Sequence, residues 1–339
     1  MIGGQTATIY SLPLLIFLLG ASAASETFVR DSAVVEIADR IWRNEFRDAL
    51  SAAEQIIRNE PSNPVGYFLA GVVYQTISEE YRNDSFIDST DDNLSHAIEL
   101  TDHRKDSDRD NPDWYFIAGA AYGYRGLHRA FHGQWWGAFK DGFHCSSNLR
   151  KALGIDSTYY DANWGLGSYY YYRTVKSRDF LWLPFISDER EEGMRLIRRA
   201  IAGGFLCPKI ARQSFLRIYL TEERYADVVM LADSLCRLLP DDPYYLLFYT
   251  EGLLAMDSLD RAEEKLEKLK SAWKNSSFYD ASGVFEAELL YAKIAYKRGD
   301  REMSKRIVDQ IISNKRLCRN NAYFEETYDK AKKFRKSNL

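Results

Sequence analysis

Residues Tyr67–Tyr74 read YFLAGVVY and residues Tyr115–Tyr122 read YFIAGAAY, two octapeptides identical at five of eight positions and 48 residues apart. Recurrence at such a period marks an array of structural units, each too small to bury its own apolar face. The pattern has a packing reason. A small pair, Ala70-Gly71 or Ala118-Gly119, lets a second helix approach closely, while the flanking rings fill the gap between neighbouring units.

The partner helix is legible as well. In Phe46–Pro61 (FRDALSAAEQIIRNEP), Ala49, Ala53, Ile56 and Ile57 fall on one helical face, and Pro61 stops the helix. Lys209–Asp242 is the cleanest unit, with Leu216 and Tyr219 in a first helix, Tyr225, Ala232, Leu235 and Cys236 in a second, and Pro240 at its close; it is 34 residues long. A further unit starts at Pro243, with Gly252 and Ala255 in its first helix and Ala262 and Leu266 in its second. Tyr291–Ile312 contains the turn Arg298-Gly299-Asp300, where glycine supplies the backbone freedom a tight helix–helix turn needs. Asn163–Tyr170 (NWGLGSYY) is another first helix, paired with Glu191–Ile201.

On these motifs the chain resembles the tetratricopeptide repeat superfamily across residues 32–313. The resemblance implies an all-α solenoid of about seven helix pairs, in units 32–64, 65–110, 111–157, 158–204, 209–242, 243–276 and 281–313, with a polar capping helix over 321–336. Units two to four exceed the 34-residue period and predict insertions at Thr76–Thr90, Ala130–Phe139 and Thr174–Ser187. The stretch Gly123–Tyr172 also resembles exported bacterial repeat proteins of unassigned activity.

The 339-residue length by itself suggests two domains, but the recurring register makes residues 24–339 one linear stack. Hydrophobic residues at 46% and charged residues at 28% exclude a disordered or multi-span membrane chain, and a net charge of −4 argues against a nucleic-acid partner. Leu12–Gly20 (LPLLIFLLG), followed by Ala21, Ser22 and Ala23, reads as a signal peptide over 1–23, which predicts an exported, periplasmic or secreted protein with no transmembrane segment once cleaved. Cys145, Cys207, Cys236 and Cys318 lack metal or redox spacing and read first as free buried thiols; Cys207 opens one helix and Cys236 closes the next, so a disulfide between these two is the one pairing to test.

Enzyme and cofactor motifs are missing. His128 and His132 are four apart, but Arg129 stands where a zinc protease has its glutamate, so structural histidines and no metal are expected. Asp106, Asp108 and Asp110 imitate a calcium loop that Asn111 and Ile117 cannot complete. The segment Glu79–Asp110, with 11 acidic and four basic residues, reads as a surface loop, and the basic run Lys330–Lys336 as a solvated face.

What stands out is the aromatic content of 14%, with ten rings between residues 158 and 185, including Phe180, Trp182 and Phe185. Placing each unit on its signature puts Phe68, Gln75, Phe116, Tyr124, Trp164, Tyr171, Tyr172, Arg217, Tyr249, Lys293 and Lys297 on the concave surface. The leading expectation is a non-catalytic scaffold binding a protein or peptide in that aromatic groove. The alternative is a glycan-binding or glycan-cleaving repeat protein, with Trp135, Trp136 and Trp164 as stacking platforms and Asp113 or Asp161 as carboxylates.

Overall fold

The computed structural model describes residues 28–177, 187–316 and 321–339. The expected signal peptide, the rings Phe180, Trp182 and Phe185, and Cys318 lie outside the described residues. Among those described, a 3-10 turn at Phe28–Arg30 precedes fifteen α-helices. Seven antiparallel pairs run α1 (Ser32–Trp42) with α2 (Phe46–Asn59), α3 (Pro64–Tyr81) with α4 (Ile87–Ser107), α5 (Pro112–Phe131) with α6 (Trp135–Ile155), and α7 (Ala162–Lys176) with α8 (Arg190–Gly203). They continue with α9 (Pro208–Thr221) and α10 (Tyr225–Cys236), α11 (Pro243–Ala255) and α12 (Leu259–Asn275), and α13 (Ala281–Lys297) and α14 (Arg301–Ser313), before α15 (Ala322–Asn338) covers the end. This is an all-α solenoid.

Helix starts follow their capping chemistry. Asn63, Asn111 and Asp242 each accept a backbone N–H of the first turn, and Pro64, Pro112 and Pro243 supply a preset φ at the next position. The repeated octapeptides sit at equivalent crossings: a Cβ added at Gly71 would meet Leu94 of α4 at 2.7 Å, and one at Gly119 would meet Leu149 of α6 at 2.8 Å. Between α7 and α8 the approach is backbone on backbone, since a Cβ on Gly167 would lie 2.5 Å from the Gly193 carbonyl oxygen.

Two expectations change. The acidic stretch read as a surface loop is largely α4, because Thr90, Leu94, Ala97, Ile98 and Thr101 give it a buried stripe while its carboxylates face outward. The extra residues at 76–90 and 130–139 lengthen helices on either side of short turns instead of forming excursions.

The lengthening has a structural consequence. The C-terminal end of α3 reaches the last three pairs, and the stack curves until its two halves touch. Arg217 of α9 donates to Glu79 at 2.7 Å, Arg82 to Glu286 of α13 at 2.6 Å, and the Trp273 indole to the Glu80 carbonyl at 2.8 Å. Asn83 donates to the Phe278 carbonyl, Lys209 to Asp39 of α1, and the Phe131 ring lies 4.3 Å from that of Tyr323. Helices α3 and α11 are consequently buried nearly all round, α3 including the polar Gln75, Ser78 and Glu80 of its C-terminal half.

Candidate functional site

The first helices present their inward side chains to this closed interior. Part of the expected groove is used up in joining repeats. Phe68 and Phe116 are buried, and rings run edge to face from Phe28 to Phe68, from Phe68 to Tyr124 at 6.3 Å, and from Tyr124 to Trp164 at 6.0 Å. Tyr171 is fully buried, its hydroxyl donating to Glu222 at 2.8 Å. Tyr249 points the other way: its hydroxyl donates to Asp233 and accepts from Arg261, so it fastens α10 and α12 behind the inner wall. Lys297 pairs with Asp257 at the α11–α12 turn. Gln75 is buried against His128, 3.0 Å from its Nδ1.

Tyr172 and Arg217 lie beside Glu79 and Tyr244, and Lys293 beside Glu251, Glu286 and Lys330, with Arg82 and Tyr323 between the two groups; of these added residues only Lys330 was named from sequence, as part of a solvated face. Glu286 and Lys293 are seven residues apart, a spacing that places both on one helix face and would have flagged them. The same seven-residue spacing joins Tyr244 to Glu251 and Tyr323 to Lys330, whereas Glu79 and Arg82 have no such partner, and curvature alone brings these helices together. Arg217 lies over the Phe248 and Tyr244 rings at 5.4 and 5.9 Å, yet its side chain stays 43% exposed; that of Lys330 stays 41% exposed, 3.0 Å from Glu326 and 3.9 Å from Glu286.

Burial and charge act together on this wall. Burial would raise the Glu286 carboxyl, but Arg82 and Lys330 outweigh it and hold it below the usual carboxylate range. Burial lowers Lys293, while Glu251 nearby opposes the shift. Burial pushes the Tyr172 hydroxyl up to about 12, so it is a neutral donor at physiological pH. Arg82, Arg217, Lys293 and Lys330 face Glu79, Glu251, Glu286 and, at the rim, Glu326, so the charges of the wall balance while Arg217 and Lys330 stay partly exposed.

Behind the wall lies a second polar cluster. Asp242 caps α11 and accepts from Asn44 at 3.2 Å. Burial raises its carboxyl to about 7, and burial together with the Asp242 charge raises the neighbouring Glu80. One Glu80 oxygen, the Asn44 amide oxygen and the Trp42 indole N–H are buried without partners.

The other candidates resolve into structure. Asp113 accepts from the Phe28 N–H at 2.8 Å and from the Tyr159 hydroxyl at 2.7 Å. Asp161 accepts from the N–H groups of Phe205, Leu206 and Cys207. Both aspartates are buried latches, which leaves neither carboxylate free as acid, base or nucleophile. Trp135 and Trp136 open α6 on the outer face and do not line the interior. Cys207 and Cys236 are free thiols: Cys207 donates to the Asp161 carbonyl, whereas Cys236 lies beside Asp242 and Lys265, so the pairing raised from sequence is not made. Burial lowers His128 to about 4, leaving it neutral, and His132 bonds Asp84 and the His128 carbonyl. Among the described residues no three His, Cys, Asp or Glu side chains converge as a metal site would require.

These paired helices, with glycines at the α3–α4, α5–α6 and α7–α8 crossings and a capped end, define the class by its fold: an all-α helical-repeat solenoid. No protein-family model and no curated protein matches the chain. Among solved structures it is similar to PilW, described as a widely conserved type IV pilus biogenesis factor, at 15% identity over 74% of this chain and 96% of that one, with a TM-score of 0.48. A tetratricopeptide repeat protein from Parabacteroides merdae gives 12% identity, 88% and 97% coverage and a TM-score of 0.42; yeast Tom70 gives 10%, 89% and 81%, and 0.39. The class itself is carried by the chain's own helix pairs.

Proposed function

We propose that the chain is a non-catalytic scaffold that receives a segment of a partner protein on the inner wall, outside the cytoplasm, in the setting of cell-envelope assembly. The observation that carries this reading is a wall enclosed by the chain's own helices whose cations remain accessible. Arg217, Lys293 and Lys330 orient an acidic group, while Tyr172 and the half-buried Trp164 hold an adjacent apolar side chain. Guanidinium and ammonium groups set over rings and backed by protein bind carboxylates more strongly than solvated ones do. Tyr171 packs edge to face against the Tyr172 ring at 5.1 Å and supports it. Export follows from Leu12–Ala23 and is tested by N-terminal sequencing of the mature protein, where a retained Met1 would refute it.

Capture from envelope extract tests the wall. Trp164→Ala combined with Tyr172→Ala, and separately Lys293→Glu, are expected to abolish retention of the partner while far-UV circular dichroism is unchanged. Retention at the wild-type level by both variants would reject the wall as the binding surface.

A further inference from the structure

The first half of α6 carries the most exposed aromatic side chains described in the protein: Trp135 at 61%, Trp136 at 78%, Phe139 at 68% and Phe143 at 61%. The last three fall on one helical face, with Trp135 at its margin. This face belongs to a second helix, so it stands on the outside of the solenoid as a convex ridge. The opposite face of the same helix is committed to the core through Cys145, Leu149 and Ala152.

The charges around the ridge have one sign. Across residues 133–155 the single carboxylate is Asp141, which is buried and held by Arg125 at 2.8 Å and Arg129 at 3.0 Å. The exposed ionised groups of α6 are Lys140, Arg150 and Lys151, and from α7 the Lys176 ammonium lies over the Trp135 ring at 5.6 Å. By contrast, α4, the preceding helix of the outer layer, exposes Asp88, Asp92, Glu99 and Asp102. The outer face of α6 is therefore positive beside the negative outer face of α4, in a chain that is net negative as a whole.

We propose that the α6 ridge docks the protein on the surface of an anionic phospholipid bilayer. Three arguments select lipid over a protein occupant. The ridge is convex and suits a flat or yielding surface, whereas peptide recognition uses concave sites. Four aromatic side chains exposed to this extent offer on the order of 500 Å², short of the roughly 800 Å² per partner of a stable protein interface. Indole rings prefer the headgroup level of a bilayer, and flanking lysines and arginines add attraction to anionic lipid of about 1 kcal/mol each. Among the described residues no helix is long and apolar enough to cross a membrane, so the contact is peripheral. This inference concerns the outer face and stands or falls independently of partner capture on the inner wall.

The test uses the full chain with vesicles of phosphatidylcholine and phosphatidylglycerol at three to one, doped with brominated lipid, against vesicles of phosphatidylcholine alone. Because Leu12–Gly20 is itself apolar, the readout must be local: the emission component present in the wild type and absent in Trp136→Phe. Quenching of that component by brominated lipid in anionic vesicles is expected, with about tenfold weaker apparent affinity in Lys140→Glu combined with Lys176→Glu. Loss of the quenching in Phe139→Ser, with an unchanged thermal midpoint, would support the apolar limb. If the Trp136 component is unquenched in anionic vesicles, or is quenched equally in neutral ones, the proposal is overturned. Protection of Trp136 from both lipid and aqueous quenchers, with dimers in sedimentation, would assign the ridge to contact between copies and overturn it equally.

Discussion

The inner wall and the α6 ridge are built from the same materials, aromatic rings and cations, and handle them in opposite ways. On the inner wall the rings pack edge to face between repeats and each guanidinium has a carboxylate from a distant helix, as in Arg82 with Glu286 and Arg217 with Glu79. On the ridge the rings face outward and the cations around them have no exposed carboxylate on their own helix. The same side chains hold the fold together in one place and are left available in the other. Truncation should therefore unfold the molecule from within and leave it intact from without.

The largest effect is expected at the pair that joins α3 to α13. Glu286→Ala strands the buried Arg82 guanidinium and should remove about 3–5 kcal/mol of stability, read as a fall in thermal midpoint. The double change Arg82→Met with Glu286→Leu should recover most of it, because an apolar pair has no desolvation to offset. Failure of Glu286→Ala to destabilise would mean that the two halves of the solenoid do not touch.

Next comes the helix crossing at the second octapeptide. Gly119→Ala drives a methyl group to 2.8 Å from Leu149 and 3.1 Å from its backbone nitrogen, and is expected to lose about 1–3 kcal/mol in chemical denaturation. A neutral result would show that α5 and α6 can separate freely.

Asp242 sharpens the comparison through pH. Its carboxyl rises from 3.8 to about 7 on folding, so the folded state holds its proton more tightly than the unfolded chain does. The stabilisation that follows is complete below pH 3.8 and is lost as pH rises through 7. Asp242→Asn keeps the cap on Tyr245 without the buried charge, and should raise stability at pH 8 by about 1–2 kcal/mol while changing little at pH 4. A variant whose stability follows the wild-type pH profile would contradict this.

The smallest effect is expected on the ridge. Trp136→Ala and Phe139→Ala should each lie within about 0.5 kcal/mol of wild type in the same denaturation experiments, since neither ring is buried. A larger loss would show that the ridge is covered.

The repeat was legible because packing at a helix crossing needs small residues at fixed spacing, and Ala70-Gly71 and Ala118-Gly119 write that requirement directly into the chain. The inner wall was legible only in part. Tyr172, Arg217 and Lys293 were identified from helix register, whereas Tyr249 was placed on the wrong side, because one signature position can face the wall or the neighbouring pair depending on local twist. Glu79 and Arg82 carried no signal, since their partners lie on other helices, and Lys330, whose near partner Glu326 is on its own helix, was read as part of a solvated basic face. The acidic composition of α4 masked its buried stripe, and it was read as loop.

The amino-acid sequence by itself determined that this protein is an all-α repeat array, where its helices begin, and which residues let them approach, since these depend on contacts within one helix pair. Closure of the array was decided only in three dimensions. Small rotations between successive pairs add up over seven units, bringing Arg82 at the C-terminal end of α3 against Glu286 of α13 and Tyr323 of α15, more than 200 positions away. That accumulated curvature assembled a charged wall from five helices, while packing between neighbouring repeats took up part of the expected groove and left the rings of α6 outside.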